Sequence, residues 1–274
     1  MPSEKRARQR AGRDARRQAQ AKAARRRTLI RNSVIVAVLA ALVIVSVVLV
    51  TNRSKGPSTT TTTSTTAAGG VQAEQKAANQ KAVAAGCPQS TKTKVNTLSW
   101  STPPAMTIDT SKTYKATVKT TAGTFVVTLL AKTAPTTVNN FAFLAKKDYY
   151  KCNIFHRVIP GFMDQTGDPT GTGSGSPGYT FANENVPSSY ATGEVAMANS
   201  GGTDTNGSQF FILTTGGAST LNGDLSSGSA YSLFGKVVKG MTVVKKINSE
   251  GSSANNGVPP KVTQRILSVK VATS

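Results

Sequence analysis

The sequence predicts a mainly β domain that closes into a barrel, carries two α-helical caps and follows a single transmembrane helix. Three observations lead to this prediction. A long apolar run lies near the N-terminus, a Thr/Ser-rich stretch follows it, and from residue 114 onward short segments rich in β-branched and aromatic residues are separated by Gly and Pro. Many short strands together with two helices favour a closed antiparallel barrel with helical caps.

The positive charge of the chain is concentrated at its N-terminus. The formal net charge is +21, and residues 1–31 carry twelve Lys or Arg against two acidic residues, a net charge of +10. Residues 110–274 hold fifteen basic and eight acidic side chains, so the predicted globular part is only moderately basic. No aromatic residue interleaves with the charges of the tail, which makes nucleic-acid binding the minority interpretation. We expect no nucleic-acid partner and interpret 1–31 as a cytoplasmic topology signal that can lie on anionic lipid.

The apolar run predicts a membrane anchor. Residues 34–50 contain no charge and only one polar residue, Ser46, and their length is near the lower end of the roughly 17–25 residues that span a bilayer. A secretory signal peptide usually has a shorter core and a small-x-small cleavage site, which is absent here, and an Arg-rich flank argues against a buried core helix. We therefore assign 32–50 to a transmembrane signal anchor. The positive-inside rule places the N-terminus in the cytoplasm and the downstream domain outside the cell membrane.

A linker and an extension are predicted between the anchor and the folded domain. Residues 51–70 are a polar, low-complexity Thr/Ser-rich stretch that cannot bury enough apolar area to fold. Residues 71–85 have the Ala, Gln, Glu and Lys content of a helix, and Gly86 is a natural stop. We describe 71–111 as a short helix with an irregular extension, followed by the folded domain at 112–274.

The folded domain contains seven segments with strand character and two with helix character. The longer helix is predicted over 133–147, with Pro135 near its first turn and apolar residues at helical spacing, and the shorter one over 241–247. The predicted strands lie at 114–120, 124–130, 153–159, 193–199, 208–214, 231–238 and 265–271.

A charged residue interrupts one of these strands. Residues 154–159 are apolar on both faces except at His156 and Arg157, and an unpaired guanidinium in such a run costs several kcal/mol. Either Arg157 is paired with a carboxylate such as Asp164 or Asp168, or it belongs to a functional site, and the residues alone leave both readings open. His156, the only His of the chain, is predicted to be packed and hydrogen-bonded.

A second cluster lies at 197–213. Strand alternation places Gln209, Phe211 and Leu213 on one face, and the amide of Gln209 needs partners if it is buried. The nearby run at 173–178 fits a G-x-G-x-x-G pattern, but it does not follow a buried strand, so we predict a flexible loop there rather than a nucleotide site.

At these clusters the sequence resembles the cyclophilins. FHRVIPGFMDQTGD at 155–168 is similar to the family signature of Phe-His-Arg-Val-Ile, two residues, Phe-Met, one residue, Gln, one residue and Gly-Asp. MANSGGTDTNGSQFFIL at 197–213 resembles the family's Met-Ala-Asn-Ala-Gly…Asn-Gly-Ser-Gln-Phe-Phe-Ile block with one extra residue, and LFGKVVKGMTVVKKI at 233–247 looks like its Val-Phe-Gly-Lys-Val stretch and following helix. The resemblance covers about 112–274. It implies an eight-stranded antiparallel barrel and a peptidyl-prolyl cis/trans isomerase, here in a membrane-anchored bacterial form.

The resemblance also implies roles for individual residues. Four positions match the catalytic machinery of the family: Arg157, Phe162, Gln165 and Phe211. Seven positions match its substrate contacts: Met163, Gly171, Ala198, Asn199, Gln209, Leu221 and Tyr231. The chain departs from the family at the pocket rim, where the tryptophan is replaced near Thr220 and the histidine by Tyr231, beside an insertion at 224–229.

The chemistry of the reaction fits these residue types. Rotation about an X–Pro bond crosses a barrier of about 18–20 kcal/mol but breaks no covalent bond, so we expect no metal, nucleophile or other cofactor. A fixed cation such as Arg157 can stabilise the twisted amide more than either planar state. We expect proline-containing segments of exported or envelope proteins as substrates, and a monomeric enzyme. The alternative is a catalytically weak Pro-peptide-binding module or chaperone scaffold at the membrane.

The two cysteines of the chain, Cys87 and Cys152, both lie outside the membrane in this topology. Disulfides persist in such compartments. We therefore hypothesise a disulfide that pins 87–111 to the barrel.

Overall fold

The computed structural model describes residues 63–202, 204–225 and 230–273. The predicted tail at 1–31, the predicted anchor at 32–50 and the first part of the predicted linker lie outside these residues. In the part of the chain that is described, no helix is long and apolar enough to cross a membrane.

Eight antiparallel strands form one curled sheet. Its strands are β1 (Tyr114–Thr120), β2 (Gly123–Leu129), β3 (Arg157–Ile159), β4 (Met163–Thr166), β5 (Glu194–Met197), β6 (Phe210–Leu213), β7 (Leu233–Lys239) and β8 (Ile266–Thr273). Their order across the sheet is β3-β4-β6-β5-β7-β2-β1-β8. The mainly β, antiparallel, eight-stranded prediction is therefore confirmed.

The predicted closure of the barrel is wrong. Strands β3 and β8 lie at opposite ends of the strand order and do not pair with each other. An isolated bridge between Ile154 and Arg265 and a few main-chain hydrogen bonds join 152–155 to 264–266, near the starts of the two strands. The strand predicted over 153–159 is limited to the three residues of β3, which is too short to continue a ladder along β8. The sheet is therefore a curled half-barrel.

Strand β4 was not among the predicted segments. It has only four residues, and Asp164 and Gln165 interrupt the apolar pattern by which strands are recognised. The other strands follow their patterns: in β2, for example, Phe125, Val127 and Leu129 alternate into the core. The core continues into four aromatic rings of helix α2 and its neighbours. The centroids of contacting rings lie 5.1–6.2 Å apart, and the rings are those of Phe141, Tyr150, Phe210 and Phe234.

Four α-helices accompany the sheet. They are α1 (Thr63–Ala84), α2 (Pro135–Lys146), α3 (Gly217–Leu225) and α4 (Met241–Ser249), and a short 3-10 segment follows at Ala254–Gly257. The helices α2 and α4 were predicted, whereas α3 was not, because its Gly, Ser, Thr and Asn content favours loops. Helix α1 begins before the predicted residue 71 and includes the end of the predicted linker. Elongation of an existing helix is inexpensive, and the Ala residues there favour it.

The residues between α1 and β1 fold back onto the sheet. The structure joins Cys87 and Cys152 in a disulfide with a Cα–Cα distance of 5.4 Å, as the sequence hypothesis expects. Arg265, directly before β8, is buried, and its guanidinium donates to the carbonyl oxygens of Pro88 and Gln89. The segment described from sequence as an irregular extension is thus attached to the sheet by covalent and polar contacts.

Candidate active site

Three neighbouring strands bring the predicted catalytic residues together. In the register of the sheet, Arg157 of β3 lies opposite Gln165 of β4, and Gln165 lies opposite Phe211 of β6. Residues directly opposite each other on antiparallel strands project from the same face of the sheet. This row lines one side of a cavity of about 210 Å³.

Nine of the eleven groove residues predicted from sequence line this cavity. They are Arg157, Phe162, Met163, Gln165, Ala198, Asn199, Phe211, Leu221 and Tyr231. The sequence prediction therefore placed almost the whole set on one surface of the molecule.

The floor of the cavity is apolar. Met163, Phe211 and Leu221 are buried, and the ring of Tyr231 stands edge-on to Phe211 with centroids 5.3 Å apart. The hydroxyl of Tyr190 donates to the main-chain carbonyl of Tyr231, which fixes the rim at this point. A small apolar pocket with an aromatic wall is suited to hold a compact apolar ring. Thr220, in contrast, is exposed on α3 and does not line the cavity.

Arg157 is held by neutral groups. Its Nη1 donates to Oε1 of Gln165 at 3.3 Å, its Nε to the carbonyl of Asn256 at 3.1 Å, and its Nη2 to Oδ1 of Asn256 at 2.8 Å. It forms no ion pair within the described residues. Burial lowers the pKa of the guanidinium and the phenol of Tyr231 raises it, but an arginine remains cationic at neutral pH. The side chain is therefore a fixed positive charge beside the apolar pocket.

The alternative in which a carboxylate pairs with this arginine is wrong. Asp164 projects to the opposite face, where it accepts a hydrogen bond from Nδ2 of Asn248 at 2.8 Å. Asp168 accepts hydrogen bonds from the loop that follows it, including the amide of Gly173 at 2.6 Å.

A chain of amide groups continues from Arg157 across the groove. Gln165 donates to Oε1 of Gln209 at 3.0 Å, and Gln209 donates to the carbonyls of Gly173 and Gly175 at 2.9 and 3.0 Å. Gln209 is half-buried, and its amide group has hydrogen-bond partners on both sides. These groups border a second, larger cavity of about 440 Å³, which shares Gln165 with the first. The two cavities form one groove.

Ala198 and Asn199 also border both cavities. The amide of Ala198 donates to the carbonyl of Gln209 at 2.9 Å. The side chain of Asn199 donates to the carbonyl of Ala230 at 2.7 Å, so it ties the groove to the segment that leads into Tyr231.

Gly171 is not part of the groove. A Cβ at this position would lie 2.9 Å from Cδ1 of Ile154 and 3.6 Å from the carbonyl oxygen of Thr91, and Gly171 lines neither cavity. The loop glycines that border the groove are Gly173 and Gly175. The prediction misplaced this contact because the loop length differs from that of the family just before it.

Two buried ionisable groups lie close to the site. His156 is packed as predicted, but neither ring nitrogen has a hydrogen-bond partner within the described residues, so the predicted hydrogen bonding is wrong. Burial lowers the pKa of His156, which keeps the ring neutral. Burial also raises the pKa of Asp164 to about 8, and the nearby carboxylate of Glu250 adds to this. The carboxyl of Asp164 is therefore protonated at neutral pH.

Sequence reasoning missed Asn256. It lies at a turn in which Asn255 and Asn256 both have positive φ, 48° and 56°. The Asn-Asn-Gly run at 255–257 signals such a turn. Nothing in the sequence, however, connects it with an arginine 99 residues away.

The curled eight-stranded sheet with an arginine beside an apolar pocket defines a cyclophilin-like domain, and comparisons with known proteins agree. The family described as cyclophilin type peptidyl-prolyl cis-trans isomerase matches residues 115–271. Peptidyl-prolyl cis-trans isomerase-like 1 of Aspergillus fumigatus is 46% identical over 133 residues, 47% of this chain and 78% of that protein. Peptidyl-prolyl cis-trans isomerase B of Bacillus subtilis is 42% identical over 123 residues, 44% of this chain and 80% of that protein.

A solved structure is similar as well. The cyclophilin type isomerase of Cryptosporidium parvum, crystallised in the presence of the dipeptide Ala-Pro, has a TM-score of 0.51 and 32% sequence identity. The alignment covers 58% of this chain and 99% of that one. The chain belongs to the cyclophilin-type peptidyl-prolyl cis-trans isomerase family, and it is an enzyme of that class.

Proposed function

We propose that this isomerase is anchored in a bacterial-type cell membrane by residues 32–50 and accelerates X–Pro rotation in exported or envelope proteins. The catalytic part of this proposal is supported by one observation, the fixed, unneutralised charge of Arg157 beside an apolar pocket. The proposal includes a mechanism, a location and a class of substrates.

In the proposed mechanism the substrate's proline ring occupies the pocket above Met163, Phe211 and Leu221. Twisting the X–Pro bond removes amide resonance and leaves a more basic, pyramidal prolyl nitrogen. Arg157 stabilises this state more than either planar state, because the positive charge acts where electron density accumulates. Gln165 and Asn256 hold the guanidinium in place before the substrate arrives, so no reorganisation is needed during the reaction.

The groove supplies the second part of the mechanism. If the proline ring is fixed, rotation requires that the neighbouring backbone be held on one side and free to turn on the other. Gln165 and Asn199 border both cavities and can contact a peptide that crosses from one to the other. Binding the flanking residues in this way converts binding energy into orientation of the reacting bond.

The proposed location rests on the sequence and on the disulfide. The apolar run with a basic flank favours a signal anchor with the N-terminus in the cytoplasm. The Cys87–Cys152 disulfide supports an extracytoplasmic domain, because disulfides persist in oxidising compartments. Exported and envelope proteins are then the polypeptides within reach of the groove, and one anchored chain acts as a monomer.

A second candidate is a binding module with weak turnover. It is favoured by the rim, where Tyr231 packs on Phe211 and the exposed Thr220 contributes nothing to the pocket. Such a groove would retain peptides without lowering the barrier to rotation.

The test is cis-to-trans exchange of an Ala-Pro test peptide, measured by NMR with the full-length chain in mild detergent. We expect acceleration by the wild type and a loss of kcat/KM of about 100- to 1000-fold in Arg157→Ala, the range for removal of one positioned donor to a transition state. Arg157→Lys is expected to recover only part of the activity, because it keeps the charge but loses the planar fork. Lys119→Ala, a substitution at an exposed cation on β1, serves as the control for altered net charge.

Saturable peptide binding without acceleration by the folded wild type would favour the binding module. Equal activity of the wild type and Arg157→Ala would exclude the arginine mechanism while leaving the isomerase class intact.

A further inference from the structure

Residues 91–100 lie outside the stretch that matches the family, yet they contact a wall of the groove. We call 91–100 the brace segment and 168–178 the groove loop. The groove loop borders the larger cavity through Gly173, Gly175 and the residues around them.

The brace segment holds the groove loop at both of its ends. The amide of Val95 donates to the carbonyl of Pro169 at 2.9 Å, and the amide of Trp100 donates to the carbonyl of Pro177 at 2.8 Å. These acceptors lie eight residues apart and enclose the part of the loop that faces the cavity. Both contacts use main-chain groups, so they depend on the path of the chain rather than on side-chain identity.

The brace segment is itself fixed to the body of the domain. The ring of Trp100 packs edge-on against Phe143 of α2, with centroids 5.0 Å apart, and lies 6.1 Å from the ring of Tyr149. The side chain of Asn96 donates to the carbonyl of Tyr149 at 2.8 Å. The disulfide at Cys87 anchors the chain just upstream. The segment is therefore attached to elements that do not belong to the groove.

The approach between the segment and the loop is very close. A Cβ on Gly178 would lie 2.2 Å from Oγ of Ser99 and 2.6 Å from the carbonyl oxygen of Trp100. Glycine at this position allows the two backbones to meet. It also has a φ of +93°, which L side chains rarely adopt.

The middle of the groove loop connects with the catalytic residues. The carbonyls of Gly173 and Gly175 accept from Gln209, which accepts from Gln165, which in turn accepts from Arg157. A displacement of the loop therefore removes the acceptors that orient Gln209.

Inside the loop, a carboxylate fixes the shape of the turn. Asp168 accepts hydrogen bonds from the amides of Thr170, Thr172 and Gly173. Although burial alone would raise the pKa of Asp168, these loop hydrogen bonds lower it, so the group is ionised at neutral pH. The loop is thus a preformed unit that can be positioned as a whole by contacts at its ends.

We propose that the brace segment positions the groove loop and thereby sets how tightly the enzyme binds the residues that flank the substrate proline. This role rests on the proposed isomerase function and extends it to a part of the chain outside the family match. The segment does not touch the reacting bond. It therefore acts on substrate binding more than on the rotation step.

The test compares two glycine substitutions in the full-length chain. Gly178→Ala places a methyl group against Ser99 and Trp100, whereas Gly193→Ala has a similar φ of +84° but only ordinary contacts, the nearest being Sδ of Met241 at 3.8 Å. Both variants place a side chain at a positive φ, and only the first disturbs the brace segment. The readouts are KM and kcat for an Ala-Pro test peptide and hydrogen exchange of the amides in 168–178.

We expect Gly178→Ala to raise KM about three- to tenfold, the range for loss of one or two hydrogen bonds, with kcat within about twofold of the wild type. Exchange in the groove loop should become faster in this variant only. Gly193→Ala should lose thermal stability without changing KM or loop exchange. Equal KM values and equal loop exchange in the two variants would overturn the proposal. An inactive wild type would refute the isomerase function. Hydrogen exchange of the loop amides is measured without substrate, so it would still show whether the brace segment positions the groove loop.

Discussion

In the part of the chain that the structure describes, two arginines keep their charge without a carboxylate partner, one at the groove and the other in the interior. Arg157 is partly exposed at the groove, and Arg265 is buried beneath the N-terminal extension with 1% of its surface exposed. Neither guanidinium forms an ion pair within the described residues. Each is instead held by neutral oxygens, so each keeps its full charge.

The difference lies in where the acceptors come from. Arg157 bonds to the side chain of Gln165 and to Asn256, and part of it still faces the pocket. Arg265 bonds to the main-chain carbonyls of Pro88 and Gln89, which enclose it. An unneutralised charge is therefore no proof of function by itself. It indicates catalysis only when it also faces a cavity that a substrate can enter.

The comparison is tested most strongly by Arg265→Ala. This substitution leaves a cavity and removes the donors from carbonyls of the extension, so we expect the free energy of unfolding to fall by about 2–4 kcal/mol. The folded variant should retain the wild-type kcat, because Arg265 lines neither cavity of the groove. Urea unfolding and peptide exchange measure the two effects. Arg157→Ala is the matched variant, and it should lose kcat while its free energy of unfolding changes little. A large loss of kcat in Arg265→Ala would contradict the distinction between the two arginines.

The sequence was sufficient to predict the position of Arg157 but not the burial of Arg265. Arg157 interrupts an apolar run inside a three-block family resemblance, so both its strand and its place at the groove were predictable. Arg265 ends a polar stretch and begins an ordinary strand, and its burial depends on an extension that lacks any family pattern. The disulfide at Cys87 was predictable because the chain has two cysteines and the predicted topology places both outside the membrane.

The errors in the site have related causes. Strand β4 was missed because Asp164 and Gln165 are polar, although both face partners that the fold supplies. Asn256 was missed because its bond to Arg157 is a contact between distant parts of the chain. The loop glycine that borders the groove was placed two residues early, at Gly171 instead of Gly173, because loop length cannot be counted from a signature. Contacts that depend on the path of loops are not encoded in local patterns.

A second test concerns Asp164, another buried group with a neutral partner. Its folded-state pKa is raised to about 8, so the native state binds this proton more tightly than the unfolded chain does. Its contribution to stability is fully present below about pH 4 and is lost as pH rises from about 4 to about 8. Asp164→Asn keeps the shape without the charge. We expect it to be more stable than the wild type by about 1–3 kcal/mol at pH 8, with the difference shrinking toward pH 5.

The measurement is urea unfolding of both proteins at several pH values between 5 and 8.5. The charged neighbours Glu250 and Lys246 form an ion pair and are present in both proteins. A difference that does not change with pH would show that Asp164 is ionised in the native state and that neutral partners alone can support a buried charge in this position.

The smallest and most specific effect is expected for the clamp on Arg157. Asn256→Gly deletes the Oδ1 acceptor of Nη2 but keeps the main-chain carbonyl that accepts from Nε, and glycine tolerates the positive φ. Asn255→Gly is the matched control, because Asn255 is also exposed and has a similar φ. We expect kcat to fall about three- to tenfold in Asn256→Gly with KM within about twofold, since in the proposed mechanism the lost bond orients the group that stabilises the twisted state.

The cis-to-trans exchange of the Ala-Pro test peptide, measured by NMR, separates the two variants. Thermal unfolding should not distinguish them. If Asn255→Gly lowers kcat as much as Asn256→Gly, the turn acts through its backbone and the side-chain acceptor is unimportant. If neither variant changes kcat, Gln165 alone is sufficient to orient the guanidinium. In that case the groove arginine needs less support than the buried one, because water and substrate can supply the acceptors that the fold must provide for Arg265.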